Sequence, residues 1–253
     1  RYLPPALRGQ RLDLPLVVDA HVHIGRFPTM YMPWPGWDRV LAVMDRIGIH
    51  RAAVNGILYP DFVEGNDLVA ALYQQYPERV IGIMGLNPFY GGRALLDEMT
   101  RCADQLGFRG IKLHELVKAR GFASSFNPSM LDPILEFAEC RQCPILYHGL
   151  ITERMIGDHP RVTFICAHGP AYIDVVLAMS RYENFHVDTA YTIVLRGTIE
   201  RFVDQLGSHR VLFGSDAPLS APSVRLAQIL AAAIPDDAVE NILGRNAARI
   251  YRL

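Results

Sequence analysis

Short apolar runs recur at fairly even intervals along the chain, and amphipathic stretches lie between most of them. Eight runs predict buried strands, at 16–20, 52–55, 80–86, 110–113, 145–147, 162–167, 185–187 and 211–213. Five stretches carry apolar residues at helical spacing, at 37–47, 67–76, 94–106, 128–140 and 199–206. The pattern therefore predicts strands that alternate with helices.

This alternation predicts a parallel sheet, because a parallel pair of strands needs a connection of about a dozen residues or more. Residues 151–159 allow only a short helix, and 236–253 predict one or two closing helices. The length of 253 residues is close to the roughly 250 of one α/β barrel. We expect an α/β fold, a TIM-like (β/α)8 barrel, with residues 1–253 forming a single domain that ends in closing helices.

An open, doubly wound sheet is the alternative arrangement for eight strands. A dinucleotide-binding sheet of that kind places a GxGxxG turn after its first strand. After Asp19 this chain instead has His21, Val22 and His23. The sequence thus argues against a nucleotide site and favours a metal site.

Composition and charge narrow the choice of partners. Hydrophobic residues make up 50% of the chain, and 25 Lys and Arg nearly balance 26 Asp and Glu, so no overall field attracts nucleic acid or a membrane. No apolar run reaches the roughly 18 residues of a membrane span, and the four cysteines do not form a disulfide scaffold. We expect a cytoplasmic protein that acts on a small molecule. The chain begins at Arg1 and not at a methionine, so we expect it to be trimmed or processed, and the sequence shows no targeting segment that was originally present.

Polar side chains stand at the carboxyl ends of the predicted strands, which is where an α/β barrel places its active site. The set comprises His21, His23, Lys112, His114, His148, His168, Asp188 and Asp216. Residues two apart on a strand share a face, so His21 and His23 can both point into the barrel mouth. Imidazole and carboxylate groups together suit zinc or a similar divalent ion.

The motifs that contain these residues resemble those of the amidohydrolase superfamily. They are DAHVHIG at 19–25, GIKLH at 110–114, YHG at 147–149, ICAHG at 165–169 and FGSDAP at 213–218, and NILGRNAARI at 241–250 is similar to the family's C-terminal helix. The branch most similar is amidohydrolase 2, which includes hydrolases, lactonases and enzymes like aminocarboxymuconate-semialdehyde decarboxylase. The resemblance covers nearly the whole chain.

The resemblance implies a metal site formed by His21, His23, His148 and Asp216. Asp216 would also be catalytic and take a proton from water. His168 is implied to be either a catalytic histidine, which would polarise the substrate carbonyl or hold the oxyanion, or a ligand to a second ion. Lys112 occupies the position of the carboxylated lysine that bridges two ions in some members; unmodified, it could pair with a substrate carboxylate. Zinc, as one ion or two, is the expected metal, with Mn2+, Fe2+ or Co2+ as alternatives. The resemblance to this family also implies a homodimer.

Hydrolysis of an amide, lactone or ester bond in a small, carboxylated molecule is the activity that we expect first. Non-oxidative decarboxylation of an unsaturated or aromatic carboxylic acid is the alternative, and a metal-binding barrel without catalysis is the third. Decarboxylating relatives often carry Glu-x-Ala in place of the first histidine pair, or a proline three residues beyond it. Here the pair is intact and is followed by Ile24, Gly25 and Arg26, which favours the hydrolase.

Several residues just beyond the strand ends could bind the substrate. Arg26, His114 and Tyr191 are the candidate substrate-binding residues, and Lys118, Arg120 and Arg196 could also anchor a carboxylate. Residues 26–37, rich in proline and aromatic side chains, predict a lid or a subunit contact. We expect a hydrogen-bonding role for Asp19, while Asp188 matches no ligand position of the family.

Overall fold

The computed structural model describes residues 2–3, 11–25, 36–56, 61–114, 128–149, 152–190 and 195–253. The candidate residues Arg26, Lys118, Arg120 and Tyr191, and all but the end of the predicted 26–37 lid, lie outside these ranges.

Eight parallel strands in sequential order form one sheet within the described residues. Their bounds are β1 Val18–Ile24, β2 Arg51–Gly56, β3 Val80–Gly85, β4 Gly110–His114, β5 Ile145–His148, β6 Phe164–Cys166, β7 Phe185–Asp188 and β8 Val211–Leu212. The sheet closes because Ala20 donates its backbone N–H to the Phe213 carbonyl at 2.8 Å and His23 donates to the Ala217 carbonyl at 2.8 Å. The predicted TIM-like (β/α)8 barrel is therefore confirmed.

Helices connect the strands in the described part of the chain. The α-helices are α1 Trp37–Ile47, α2 Phe62–Gln75, α3 Gly92–Thr100, α4 Asp132–Arg141, α5 Glu153–Asp158, α6 Ile173–Ala178, α7 Thr198–Leu206, α8 Pro222–Ala231, α9 Asp236–Glu240 and α10 Asn246–Tyr251. Each long helix buries one stripe: α7 buries Ile199, Phe202 and Leu206, at the spacing of one helical face. None of the helices described is long and apolar enough to cross a lipid bilayer.

Several helix boundaries differ from those that the pattern predicts. α2 begins at Phe62 and not at residue 67, because the Asp61 side chain accepts hydrogen bonds from the backbone N–H groups of Val63 and Glu64 and so caps the helix there. Residues 128–140 form a short 3-10 turn, Pro128–Met130, before α4 begins at Asp132. The helix bounds therefore depend on capping and turn residues as well as on hydrophobic spacing.

The C-terminal helix fills the end of the barrel opposite the strand carboxyl ends. Ile250 and Tyr251 of α10 pack with Val18 and other barrel-lining side chains, and the Tyr251 ring lies against Gly110, the first residue of β4. A Cβ at Gly110 would lie 3.2 Å from that ring, so glycine allows the close approach. The predicted closing helix therefore packs into this end, and the candidate polar residues that the structure describes stand at the opposite end.

Candidate metal centre

The polar side chains expected at the strand ends do gather at one end of the barrel. His21 and His23 lie on β1, and both are buried, with 0% and 3% of their surface exposed. Their Nε2 atoms are 3.1 Å apart. Asp216, which follows β8, places Oδ1 2.9 Å from Nε2 of His23 and 3.7 Å from Nε2 of His21. The three ligand atoms therefore lie within 4.8 Å of one another, as a metal centre requires.

Asn55 on β2 fixes which nitrogen of His23 carries the proton. The Asn55 Nδ2 donates to the Val22 carbonyl at 3.1 Å, so its Oδ1 is the atom that faces His23 Nδ1, at 2.8 Å. An amide oxygen can only accept, so His23 carries its proton on Nδ1. His23 Nε2 faces Asp216 Oδ1 at 2.9 Å and is the nitrogen through which His23 would bind a metal ion.

The proton of His21 is placed in the same way. Its Nδ1 lies 2.7 Å from Oδ2 of Asp188, the last residue of β7, whose pKa is raised by burial and lowered by the charge of Lys112. Lys112 on β4 brings its Nζ within 2.9 Å of His21 Nε2, and an ammonium group can only donate. His21 therefore also carries its proton on Nδ1 and presents a lone pair at Nε2.

These partners leave the Nε2 atoms of two imidazoles and one carboxylate oxygen facing one another. Burial lowers the pKa of His21 well below its usual value and also lowers that of His23, so both rings stay neutral. Burial alone would raise the pKa of Asp216, but the contact with His23 Nε2 and the nearby charge of Lys112 lower it, so Asp216 is ionised. A neutral-imidazole and carboxylate set of this kind fits a divalent cation.

His168 lies beside this cluster in a constrained conformation. Its backbone has φ of 59°, in the left-handed region, and its N–H donates to Asp188 Oδ1 at 2.7 Å. Its Nδ1 donates to the Ala190 carbonyl, which leaves a lone pair on Nε2. The His168 ring centroid is 5.0 Å from that of His21, and burial lowers its pKa to about 4. His168 is thus a neutral ring at the edge of the cluster.

His148 does not belong to the group of three whose ligand atoms lie within 4.8 Å of one another. Its Nδ1 contacts Nε2 of His114, and its ring centroid is 4.6 Å from that of His168. Burial lowers the pKa of His148 to about 3 and strongly lowers that of His114. The contact with His114 uses Nδ1, so Nε2 is the nitrogen with which His148 could bind a metal.

Lys112 is buried with only 4% of its surface exposed, beside carboxylates and imidazoles. Burial lowers the pKa of its ammonium group, whereas the charges of Asp188 and Asp216 oppose that shift. Its Nζ lies 2.9 Å from His21 Nε2. Arg196, proposed as a substrate anchor, is exposed.

The sequence did not reveal the roles of Asn55 and Asp188. Asn55 pairs directly with His23 in the β1–β2 ladder, so strand register was the signal that could have found it. Asp188 stands at a strand end like the other site residues, but its contact with His21 joins positions 167 residues apart. Asp19 accepts hydrogen bonds from the backbone N–H groups of Ser215 at 2.9 Å and His21 at 3.2 Å, the type of role expected for it.

Comparison with known proteins places this site in a family context. A family model described as amidohydrolase matches residues 18–253. No curated protein sequence gave a match.

Three solved structures share the fold. The 2,6-dihydroxybenzoate decarboxylase from Rhizobium has 17% sequence identity and a TM-score of 0.74, covering 94% of this chain and 98% of that chain. The 5-carboxyvanillate decarboxylase from Novosphingobium aromaticivorans, with bound manganese and 3-methoxy-4-hydroxy-5-nitrobenzoic acid, has 15% identity and a TM-score of 0.73, covering 94% and 97%. The 4-oxalomesaconate hydratase from Rhodopseudomonas palustris has 16% identity and a TM-score of 0.72, covering 94% and 96%.

Proposed function

Because this chain belongs to the amidohydrolase family, we propose that it is a metal-dependent enzyme that decarboxylates a small aromatic or unsaturated carboxylic acid without a redox cofactor. The observation that carries the proposal is the convergence of His21 Nε2, His23 Nε2 and Asp216 Oδ1, with the ring protons held on the opposite nitrogens. The similar structures include decarboxylases of aromatic acids, and this supports decarboxylation over hydrolysis.

We assign His21, His23 and Asp216 as the metal ligands, with His148 as a fourth. The nitrogen and oxygen donors suit Zn2+, Mn2+, Fe2+ or Co2+, and the manganese of the similar decarboxylase makes Mn2+ a serious alternative to the zinc expected from sequence. A divalent ion held there supplies a Lewis acid that stabilises negative charge on the substrate. We favour one ion, with Lys112 unmodified and His168 as a catalytic residue.

The β4 and β5 side of the mouth would receive the substrate carboxylate. Lys112, His114 and His148 stand there together, with Lys112 aligned with Leu146 and His114 with His148 in the β4–β5 register. The Lys112 ammonium group favours a carboxylate over a neutral or cationic ligand, and the neutral His114 ring could donate or accept a hydrogen bond beside it. We keep Arg26 and Tyr191 as further substrate contacts, since both follow strand ends in the sequence.

Decarboxylation replaces a bond from carbon to carboxylate with a bond from carbon to hydrogen, so the site must deliver a proton to that carbon. Asp216 is ionised in the metal-free site, so its carboxylate can accept a proton from water and deliver it to the substrate carbon that loses CO2. His168 Nε2 is also a proton acceptor, because its Nδ1 proton is committed to Ala190. A neutral His168 cannot donate from Nε2 to an oxyanion, so we favour proton transfer over oxyanion binding for this residue.

Hydrolysis of an amide, lactone or ester is the second candidate. The observation that favours it is the same lowered pKa of Asp216, because an ionised carboxylate beside the histidine pair can take a proton from water. Both reactions therefore use the same ligands, and they differ in the bond that breaks.

Turnover of a panel of hydroxybenzoates, unsaturated acids and lactones by the metal-loaded protein tests the proposal, with CO2 and acid release measured separately. We expect CO2 release that stops with chelator and in the His23→Asn variant. His209→Asn is the matched control, because the His209 side chain is 60% exposed. Acid release from lactones without CO2 would establish the hydrolase instead. Stoichiometric metal with no turnover of either kind would favour the non-catalytic barrel.

A further inference from the structure

Asp188 contacts both a candidate metal ligand and a candidate catalytic residue. Its Oδ2 accepts from His21 Nδ1 at 2.7 Å, and its Oδ1 accepts from the backbone N–H groups of His168 at 2.7 Å and Ala190 at 3.0 Å. The side chain has 0% of its surface exposed. A single carboxylate thus receives three hydrogen bonds from the two sides of the site.

The neighbouring strands are shaped to admit this carboxylate. A Cβ at Gly214, after β8, would lie 3.2 Å from the Asp188 Cβ and 3.0 Å from the His21 Cβ. A Cβ at Gly169, next to His168, would lie 1.8 Å from the Val187 side chain and 2.8 Å from the Asp188 carbonyl oxygen. Glycine at both positions brings Asp188 close to its partners.

The two contacts have different effects. On His21, the carboxylate holds the ring proton on Nδ1 and so leaves the Nε2 lone pair facing His23 and Asp216. On His168, it holds the N–H of a residue whose left-handed backbone is unfavourable for a side chain with a Cβ. The Ala190 carbonyl then binds the His168 ring, so residues 188–190 fix both its backbone and its side chain.

We propose that Asp188 is a positioning residue that sets the tautomer of His21 and the backbone of His168 together, and so links metal binding to the catalytic histidine. Its catalytic consequence rests on the proposed function, whereas the tautomer of His21 is a property of the metal-free protein. No ligand role is assigned to Asp188, because both its oxygens are already occupied by N–H groups.

The Asp188→Asn variant tests this proposal with almost no change in shape. The amide oxygen must face the two backbone N–H groups, so the amide nitrogen faces His21 and donates to Nδ1. The ring proton then moves to Nε2, and the lone pair leaves the cluster. We expect a roughly 10- to 100-fold loss of Mn2+ or Zn2+ affinity in competition with a chelator.

Nitrogen-15 NMR of histidine-labelled, metal-free protein reads the tautomer directly, with the His21 signals assigned from a His21→Asn variant. We expect His21 protonated on Nδ1 in the natural sequence and on Nε2 in Asp188→Asn. Thr189→Val is the matched control, because Thr189 is buried on the same segment and bonds to Gly214 and neither histidine. A merely structural role would lower stability in both variants and leave the His21 tautomer unchanged.

The possible results separate this proposal from the proposed function. Natural-sequence protein with His21 protonated on Nε2, or an Asp188→Asn variant with unchanged tautomer and metal affinity, would overturn the role of Asp188. A natural-sequence protein that binds no divalent ion would overturn the proposed function and the link to metal binding. The tautomer of the metal-free protein would still decide what Asp188 does to His21, even if Asp188→Asn failed to fold.

Discussion

Asn55 and His23 face each other across the β1–β2 ladder, with the amide oxygen 2.8 Å from Nδ1 of the imidazole. The amide nitrogen is occupied by the Val22 carbonyl, so the side chain cannot turn over without losing both contacts. This pair orients the ring of one metal ligand from the adjacent strand.

Replacing Asn55 with Leu should weaken metal binding, because His23 would lose the acceptor that holds its proton on Nδ1. We expect an affinity roughly tenfold or more lower, measured by chelator competition. Asn66→Leu is the matched control: Asn66 is also buried, but it bonds to Gly85 and Glu98. Equal metal affinity in Asn55→Leu and the natural sequence would contradict the assignment of His23.

Metal binding should stabilise the fold, since the donor set is assembled only in the folded chain. At a free-ion concentration of 100 times Kd, the free energy of unfolding should rise by about 2.7 kcal/mol, measured by denaturant titration with and without the ion. Elemental analysis should give one ion per chain. His23→Asn should lose most of the increase, and His209→Asn should keep it; an absence of stabilisation by all four candidate ions would refute the metal centre.

The free energy of unfolding should decrease as the pH falls below 7, and part of this decrease should come from His186, a buried residue of β7. Burial lowers its pKa from 6.5 to about 3. Between these values the unfolded chain binds one more proton than the folded chain, so acid favours unfolding, by up to about 1.4 kcal/mol per pH unit.

A His186→Leu variant should lack this part of the pH dependence. Denaturant titrations of the metal-free proteins at pH 7, 6 and 5 would measure the difference in the free energy of unfolding between the two. As the pH falls, the free energy of unfolding should decrease less in the variant than in the natural sequence. A constant difference over this range would show that His186 is free to protonate in the folded protein.

The contact between β2 and α2 should not tolerate a side chain at Gly56. A Cβ there would lie 2.3 Å from the Gly65 carbonyl oxygen, which belongs to helix backbone and cannot easily move. We expect Gly56→Ala to lower the free energy of unfolding by about 2–3 kcal/mol. In Gly157→Ala on α5 the nearest atom would be a Tyr182 ring carbon at 3.8 Å, so a gain of about 0.5–1 kcal/mol is expected. Denaturant titration checks both, and equal effects would contradict the packing argument.

The order of strands and the gathering of the site could be predicted because two periodicities determine them. Alternation of strands and helices fixes the parallel barrel, and the two-residue period of a strand places His21 and His23 on one face. The pairing of His148 with His114 could not be predicted, since it depends on side-chain rotamers at the ends of neighbouring strands. Nor could the contact of Asp188 with His21, because it exists only after the sheet has closed.

Hydrolysis was the activity favoured by the intact histidine pair, yet the same ligands serve decarboxylation. In the proposed site His21, His23 and Asp216 would bind the cation, but they would not determine which bond breaks. That choice depends on the substrate groups bound beside the cluster, and Arg26 and Tyr191, the candidates for that role, lie outside the described residues.

The packing of Tyr251 against Gly110, the first residue of β4, has a consequence for the route of ligands. Because α10 packs into that end, we expect a molecule to reach His21 from the carboxyl ends of the strands and its product to leave from the same end. Substrate binding and product release therefore use the same end of the barrel, so a bulky substitution at the carboxyl ends of the strands should slow both. The same substitution should leave the packing of α10 at the opposite end unchanged.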